Sequence, residues 1–151
     1  MKTADEWLDQ YGQSHQNPTN KLIHWFCIPL IVMSLMGILI SIPMPFGPDW
    51  LDPAVVLIAF SLGFYALISM RLAVGMLVVA SALYLGALSL EALPLPLWLS
   101  STLVFVLAWV AQFIGHHIEG KKPSFLEDVQ FLMIGPLWLL GFVYRRVGIR
   151  Y

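Results

Sequence analysis

The stretch from Trp25 to Ile40, WFCIPLIVMSLMGILI, carries no charged residue, and it constrains the fold more than any other part of the chain. Asn17 is placed to cap a helix and Pro18 to occupy its first position, so a helix is expected to start here. It runs through Lys21 and His24 and ends near Ile42, long enough at 1.5 Å per residue to cross a hydrocarbon core. Pro29 predicts a kink. Three more apolar runs follow, Ala54 to Met70, Leu72 to Leu90 and Leu97 to Gly115. With 59 % hydrophobic and 11 % charged residues, the chain is too apolar for an ordinary soluble domain. Its 151 residues predict one membrane-embedded domain covering 1–151.

The connections sharpen this picture. Pro43 to Pro53 (PMPFGPDWLDP) must be a loop, and Leu93-Pro94-Leu95-Pro96 a turn. Between the second and third runs only Arg71 intervenes. Ser124 and Glu127 have capping-box spacing and predict a last helix, whose apolar part, Val129 to Tyr144, is short for a full crossing. At the other end, Asp5 to Ser14 reads as a short amphipathic helix with Trp7, Leu8 and Tyr11 on one stripe, suited to the membrane interface. The expected fold is all-α, an integral membrane helical bundle of about four transmembrane helices. An N-terminal interfacial helix and a C-terminal non-crossing or re-entrant apolar helix complete it.

A net charge of −1 and the lack of a basic tract argue against nucleic acid as a partner. Cys27 is the only cysteine, which excludes an intramolecular disulfide and disfavours a thiolate metal site. The first 20 residues have no apolar core, so they do not read as a secretory signal, and targeting is assigned to the first span. The loops after spans one and three contain no Lys or Arg. If the last helix does not cross, all eight basic residues fall on the opposite, cytoplasmic side. A bacterial inner membrane is the expected location, with a eukaryotic endoplasmic reticulum reading much the same.

Four spans bring the start of span one and the end of span four to one face, and with them all four histidines: His15, His24, His116 and His117. His116 and Glu119 are three apart and share a helix face. Neutral imidazoles with a carboxylate suit Fe(II), Mn(II) or Zn(II). His15, His24, His116 and Glu119 are therefore the candidate metal ligands. His116 and His117 point roughly 100° apart on a helix; His116 is favoured and His117 is the alternative. Asn20, four before His24, is placed to hydrogen-bond a ligand or the substrate head. The bland reading is that a single histidine at a membrane edge is only an interfacial polar residue, and that His116 and Glu119 share a structural hydrogen bond. Their convergence on one face weighs against it, and His24, inside the span, is costly to bury without a partner.

The pattern His15, Asn20, His24, Pro29, followed by QFIGHHIEGKKPS from Gln112 to Ser124, resembles a membrane family once known only as a domain of unknown function. Its fungal member acts in fatty acid α-oxidation as a 2-hydroxy fatty acid dioxygenase. The resemblance covers nearly the whole chain. It implies an Fe(II)-dependent enzyme that uses O2 to shorten a 2-hydroxy fatty acid by one carbon, released as CO2. It places His15, His24 and His116 as iron ligands, Glu119 as a further ligand or a base, and Asn20 as a supporting residue. Two other readings compete with it: a zinc-dependent membrane lipid hydrolase and a non-enzymatic membrane scaffold. A lipid or fatty acid and the membrane itself are the expected partners.

Overall fold

The structure is a computed structural model and describes residues 2–45, 47–48, 50–123 and 130–151. Among them all regular structure is helical: α1 (Ala4–Gly12), α2 (Pro18–Ile40), α3 (Pro53–Ile68), α4 (Met70–Ser89), a 3-10 turn (Leu90–Ala92), α5 (Leu97–Glu119) and α6 (Phe131–Val147). Ser124 and Glu127, the expected cap of the last helix, lie outside the described residues.

Each start is fixed by local chemistry. Thr3 and Glu6 form a reciprocal capping box on α1. The Asn17 side chain accepts from the Thr19 and Asn20 amides, and Pro18 supplies the first position of α2, as its sequence predicts. Asp52 Oδ1 accepts from Ala54 and Val55 at 2.8 and 3.0 Å to start α3. Its Oδ2 accepts from the Tyr84 hydroxyl at 2.6 Å, which ties α3 to α4.

The α3–α4 break falls at Ser69, not at Arg71. Ser69 is extended (φ −163°, ψ 124°), and its side chain caps α4 by accepting from Leu72 N. Arg71 belongs to the first turn of α4 and donates to the Arg150 carbonyl at 2.8 Å. The earlier break leaves α3 with 16 residues, about 24 Å of helix. As a result three helical segments, not four, are long and apolar enough to cross a membrane among the described residues: Pro18–Ile40, Met70–Ala92 and Leu97–Glu119. Large apolar side chains such as Phe26, Val78 and Leu107 face outward on these helices, and Phe60 does so on α3, as a lipid environment requires.

α2 and α5 pack antiparallel and unusually close. A Cβ on Gly37 would collide with Ser101, and one on Gly115 would meet Asn20 Oδ1 at 2.5 Å. Without a hydrophobic force between helices in lipid, such small-residue contacts are what hold them together. The Gly115–Asn20 contact brings the start of α2 against the end of α5.

α1 corrects a second expectation. Trp7, Leu8 and Tyr11 are buried by protein, so the stripe faces α6 and not lipid. They pack on α6, with Trp7 edge-on to Phe131 at 5.6 Å and Tyr11 beside Trp138 at 5.6 Å. Arg145 at the far end of α6 bridges to Asp5 at 2.9 Å, an exposed pair that adds little stability. α1 is thus a lid of protein over the helix ends where the histidines gather.

Candidate metal centre

Three imidazoles converge under this lid. His15 lies in the α1–α2 connection, His24 is two turns into α2, and His116 is in the last turn of α5. His15 and His24 are fully buried and His116 is 4 % exposed. One nitrogen from each lies within 4.8 Å of the other two.

Hydrogen bonds fix which nitrogens face inward. His15 Nδ1 is 2.7 Å from the Tyr11 carbonyl and His24 Nδ1 is 2.9 Å from the Asn20 carbonyl. A carbonyl oxygen can only accept, so both Nδ1 atoms carry the proton and both Nε2 atoms present a lone pair. Burial pushes the His15 imidazole down to about 4, the Tyr11 bond opposing, so it is neutral at pH 7. Its ring is held flat against Tyr11, with centroids 4.3 Å apart.

Protein groups alone do not satisfy this cluster. His15 Nε2 and His116 Nδ1 are buried with no hydrogen-bond partner among the described residues. His24 Nε2 and His116 Nε2 stand 3.2 Å apart. Two nitrogens bound to one ion at about 2.1 Å stand roughly 3.0–3.4 Å from each other. The cluster therefore fits a divalent ion held by three neutral nitrogens, with further coordination positions left for other ligands. A thiolate-free imidazole set suits Fe(II).

Glu119 is placed differently from its expected role as a ligand. Its carboxylate is outside the three-nitrogen group and is taken up by three donors. Oε1 accepts from the Gln16 amide at 2.8 Å; Oε2 accepts from the Asn17 amide at 2.8 Å and from Asn20 Nδ2 at 3.0 Å. It pins the connection that carries His15, and the start of the helix that carries His24, to the end of the helix that carries His116. Asn20 is fully buried and acts twice, its carbonyl orienting His24 and its amide binding Glu119. His117 is exposed and does not join the cluster. Lys121 donates to the Gln13 carbonyl at 2.7 Å, a second tie between the α1–α2 connection and the end of α5.

Gln112 was missed in the sequence, although its position one turn before His116 in an apolar helix is a signal. It is 6 % exposed, its Oε1 has no partner, and with His116 and Tyr11 it lines a small cavity of about 50 Å³.

No curated protein and no solved structure matches the chain significantly. A family model does, over residues 1–147, and its description is 2-hydroxy-palmitic acid dioxygenase Mpo1-like. The converging neutral imidazoles, on a chain whose apolar helices belong in a membrane, agree with it, and the chain belongs to the Mpo1-like family of 2-hydroxy-palmitic acid dioxygenases.

Proposed function

We propose that this chain is an Fe(II)-dependent membrane dioxygenase that shortens 2-hydroxy fatty acids by one carbon, with His15, His24 and His116 as its metal ligands. The observation that carries the ligand assignment is the meeting of three buried imidazole nitrogens, two of them with their tautomer fixed by carbonyls. The reaction balances without an external reductant: R–CHOH–COOH and O2 give R–COOH, CO2 and H2O. When bound, Fe(II) supplies a centre that a 2-hydroxy acid can chelate through its hydroxyl and carboxylate oxygens and at which O2 is reduced.

The chain's own residues perform the remaining tasks. His15 and His24 hold neutral lone pairs inward. Glu119 and Asn20 are positioning residues that fix the three-way junction, in the way outer hydrogen bonds orient metal-bound imidazoles. Tyr11 and Trp138 cover His15 from the α1 and α6 sides and exclude water.

The whole chain acts as one membrane-embedded domain. Its topology is supported by parity. α2 begins and α5 ends at the same cluster, so an even number of crossings lies between those two points. With α2, α4 and α5 each long enough to cross, α3 is the fourth crossing despite its length. The absence of Lys and Arg from the Pro43 to Pro53 loop and from the Glu91 to Pro96 connection supports a cytoplasmic position for the metal, in a bacterial inner membrane. α6 stays on that side without crossing.

The test of the activity is oxygen uptake by Fe(II)-loaded protein given 2-hydroxy-palmitic acid, with the acid product identified by mass. A product one carbon shorter, formed with one O2 consumed per molecule, is expected. Zinc-loaded protein that releases fatty acid from a lipid ester, with no oxygen uptake in the iron form, would replace this reading by a hydrolase.

A further inference from the structure

Beyond the histidine cluster lies a second, larger cavity of about 290 Å³, lined by α2, α3, α4, α5 and α6 and partly open to the outside. It is almost wholly apolar. Its two hydroxyl groups are both turned to protein, Ser61 Oγ donating to the Leu57 carbonyl at 2.7 Å and Tyr65 to the Met133 carbonyl at 2.8 Å. Such a cavity offers nothing to a polar ligand. It is about twice the ~150 Å³ of an apolar cavity that takes up benzene, room for on the order of a dozen carbons.

This cavity adjoins the site. It shares Ile31, Val32, Trp109, Leu132 and Pro136 with the small cavity that His116 and Gln112 line. Along α5 the order is His116, Gln112, Trp109 and Phe105: a ligand, a buried amide with an unpartnered oxygen, then two aromatic walls. Phe105 is eleven residues back from His116, so the path runs about 16 Å into the bundle. Polarity falls along that line in one step, at Gln112.

We infer that the tail of the substrate's acyl chain occupies this cavity, that Gln112 receives the polar head beside the triad, and that the far wall at Phe105 and Ala80 limits chain length. This rests on the dioxygenase reading for the substrate's identity, and on the cavity alone for the tail's position. The apolar lining pays no desolvation for a hydrocarbon and cannot satisfy anything else. Gln112 marks the boundary: its amide can donate to a carboxylate and its Oε1 can accept from the 2-hydroxyl.

The test is a competition among 2-hydroxy fatty acids of graded length, using Fe(II)-loaded wild type, Ala80→Leu and Phe105→Ala. Each buried methylene favours binding about fourfold, so removing room for two shifts preference by about fifteenfold. Ala80→Leu is expected to turn preference toward shorter acids by about that factor, and Phe105→Ala toward longer ones. Unchanged ranking in both variants, with turnover retained, overturns the inference. Should Ala80→Leu fail to fold, Phe105→Ala decides alone. In parallel, metal-free protein is photo-crosslinked to a fatty acid carrying a terminal diazirine. Adducts on Leu57, Ile58 or Phe105 support the cavity even if the wild type oxidises nothing, which would sink the activity alone. Adducts confined to outward-facing Phe60, Val106 or Leu107 overturn it.

Discussion

Asn20 Nδ2 donates to Glu119 Oε2 at 3.0 Å, across 99 residues of sequence, and this bond lies at the junction of every segment that carries a histidine of the cluster. The Glu119 carboxylate also takes the Gln16 and Asn17 amides, so one side chain closes the start of α2 onto the end of α5. It ties together the segments that carry the three imidazoles and lies outside their nitrogen group.

Glu119→Gln is therefore expected to weaken metal binding without abolishing it. An amide keeps one acceptor oxygen but turns an NH2 toward donors that need a partner. A loss of about 10–100-fold in affinity is expected, with the fold retained and the coordination seen by X-ray absorption unchanged. Complete loss of metal together with a changed coordination sphere would make Glu119 a direct ligand.

Gly115 lets the two helices meet at the site, and a Cβ there would reach Asn20 Oδ1 at 2.5 Å. Gly115→Val is predicted to destabilise the protein by about 1–3 kcal/mol through overpacking, and to lower metal affinity by displacing Asn20. Thermal melting in detergent measures the first and metal titration the second. Wild-type values for both would show that the close approach is not needed.

The metal-free protein should lose stability in acid. The His15 imidazole is held near 4 by burial, below its ordinary value of 6.5. The unfolded chain therefore binds a proton before the folded one, and stability is fully present above about pH 6.5 and falls as pH drops toward 4. The loss from this group is on the order of 2–4 kcal/mol. Melting temperature followed across that window tests it. A flat profile in wild type, or an equal slope in His15→Phe, would contradict the claim.

The topology is open to labelling because Cys27 is the only thiol and is buried. In a Cys27→Ala background, Ser41→Cys and Gln13→Cys should react with an impermeant maleimide from opposite sides of the membrane. Reaction from the same side would remove the four-crossing arrangement.

Much of this was legible in the sequence because it rests on local rules. Charge-free runs announce membrane helices, and Asn17-Pro18 announces a helix start. The convergence of His15, His24 and His116 was expected from an arrangement of four spans, and the structure brings one nitrogen of each together. The misses share one cause, which is that local signals do not say what covers them. The Trp7, Leu8 and Tyr11 stripe looks alike whether lipid or α6 lies over it. Ser69 as a cap was overshadowed by the charge of Arg71. The donors that take up Glu119 are mostly main-chain amides, which no side-chain pattern reveals. Gln112 stood in plain view, a polar residue one turn from His116, but its burial beside a cavity is visible only in the fold.

The most direct test of the account is elemental analysis of detergent-purified protein, wild type beside His116→Ala, after anaerobic loading with Fe(II). Near-stoichiometric iron is expected in the wild type and background iron in the variant, with both proteins folded. Iron absent from the wild type, or retained undiminished by His116→Ala, would contradict it.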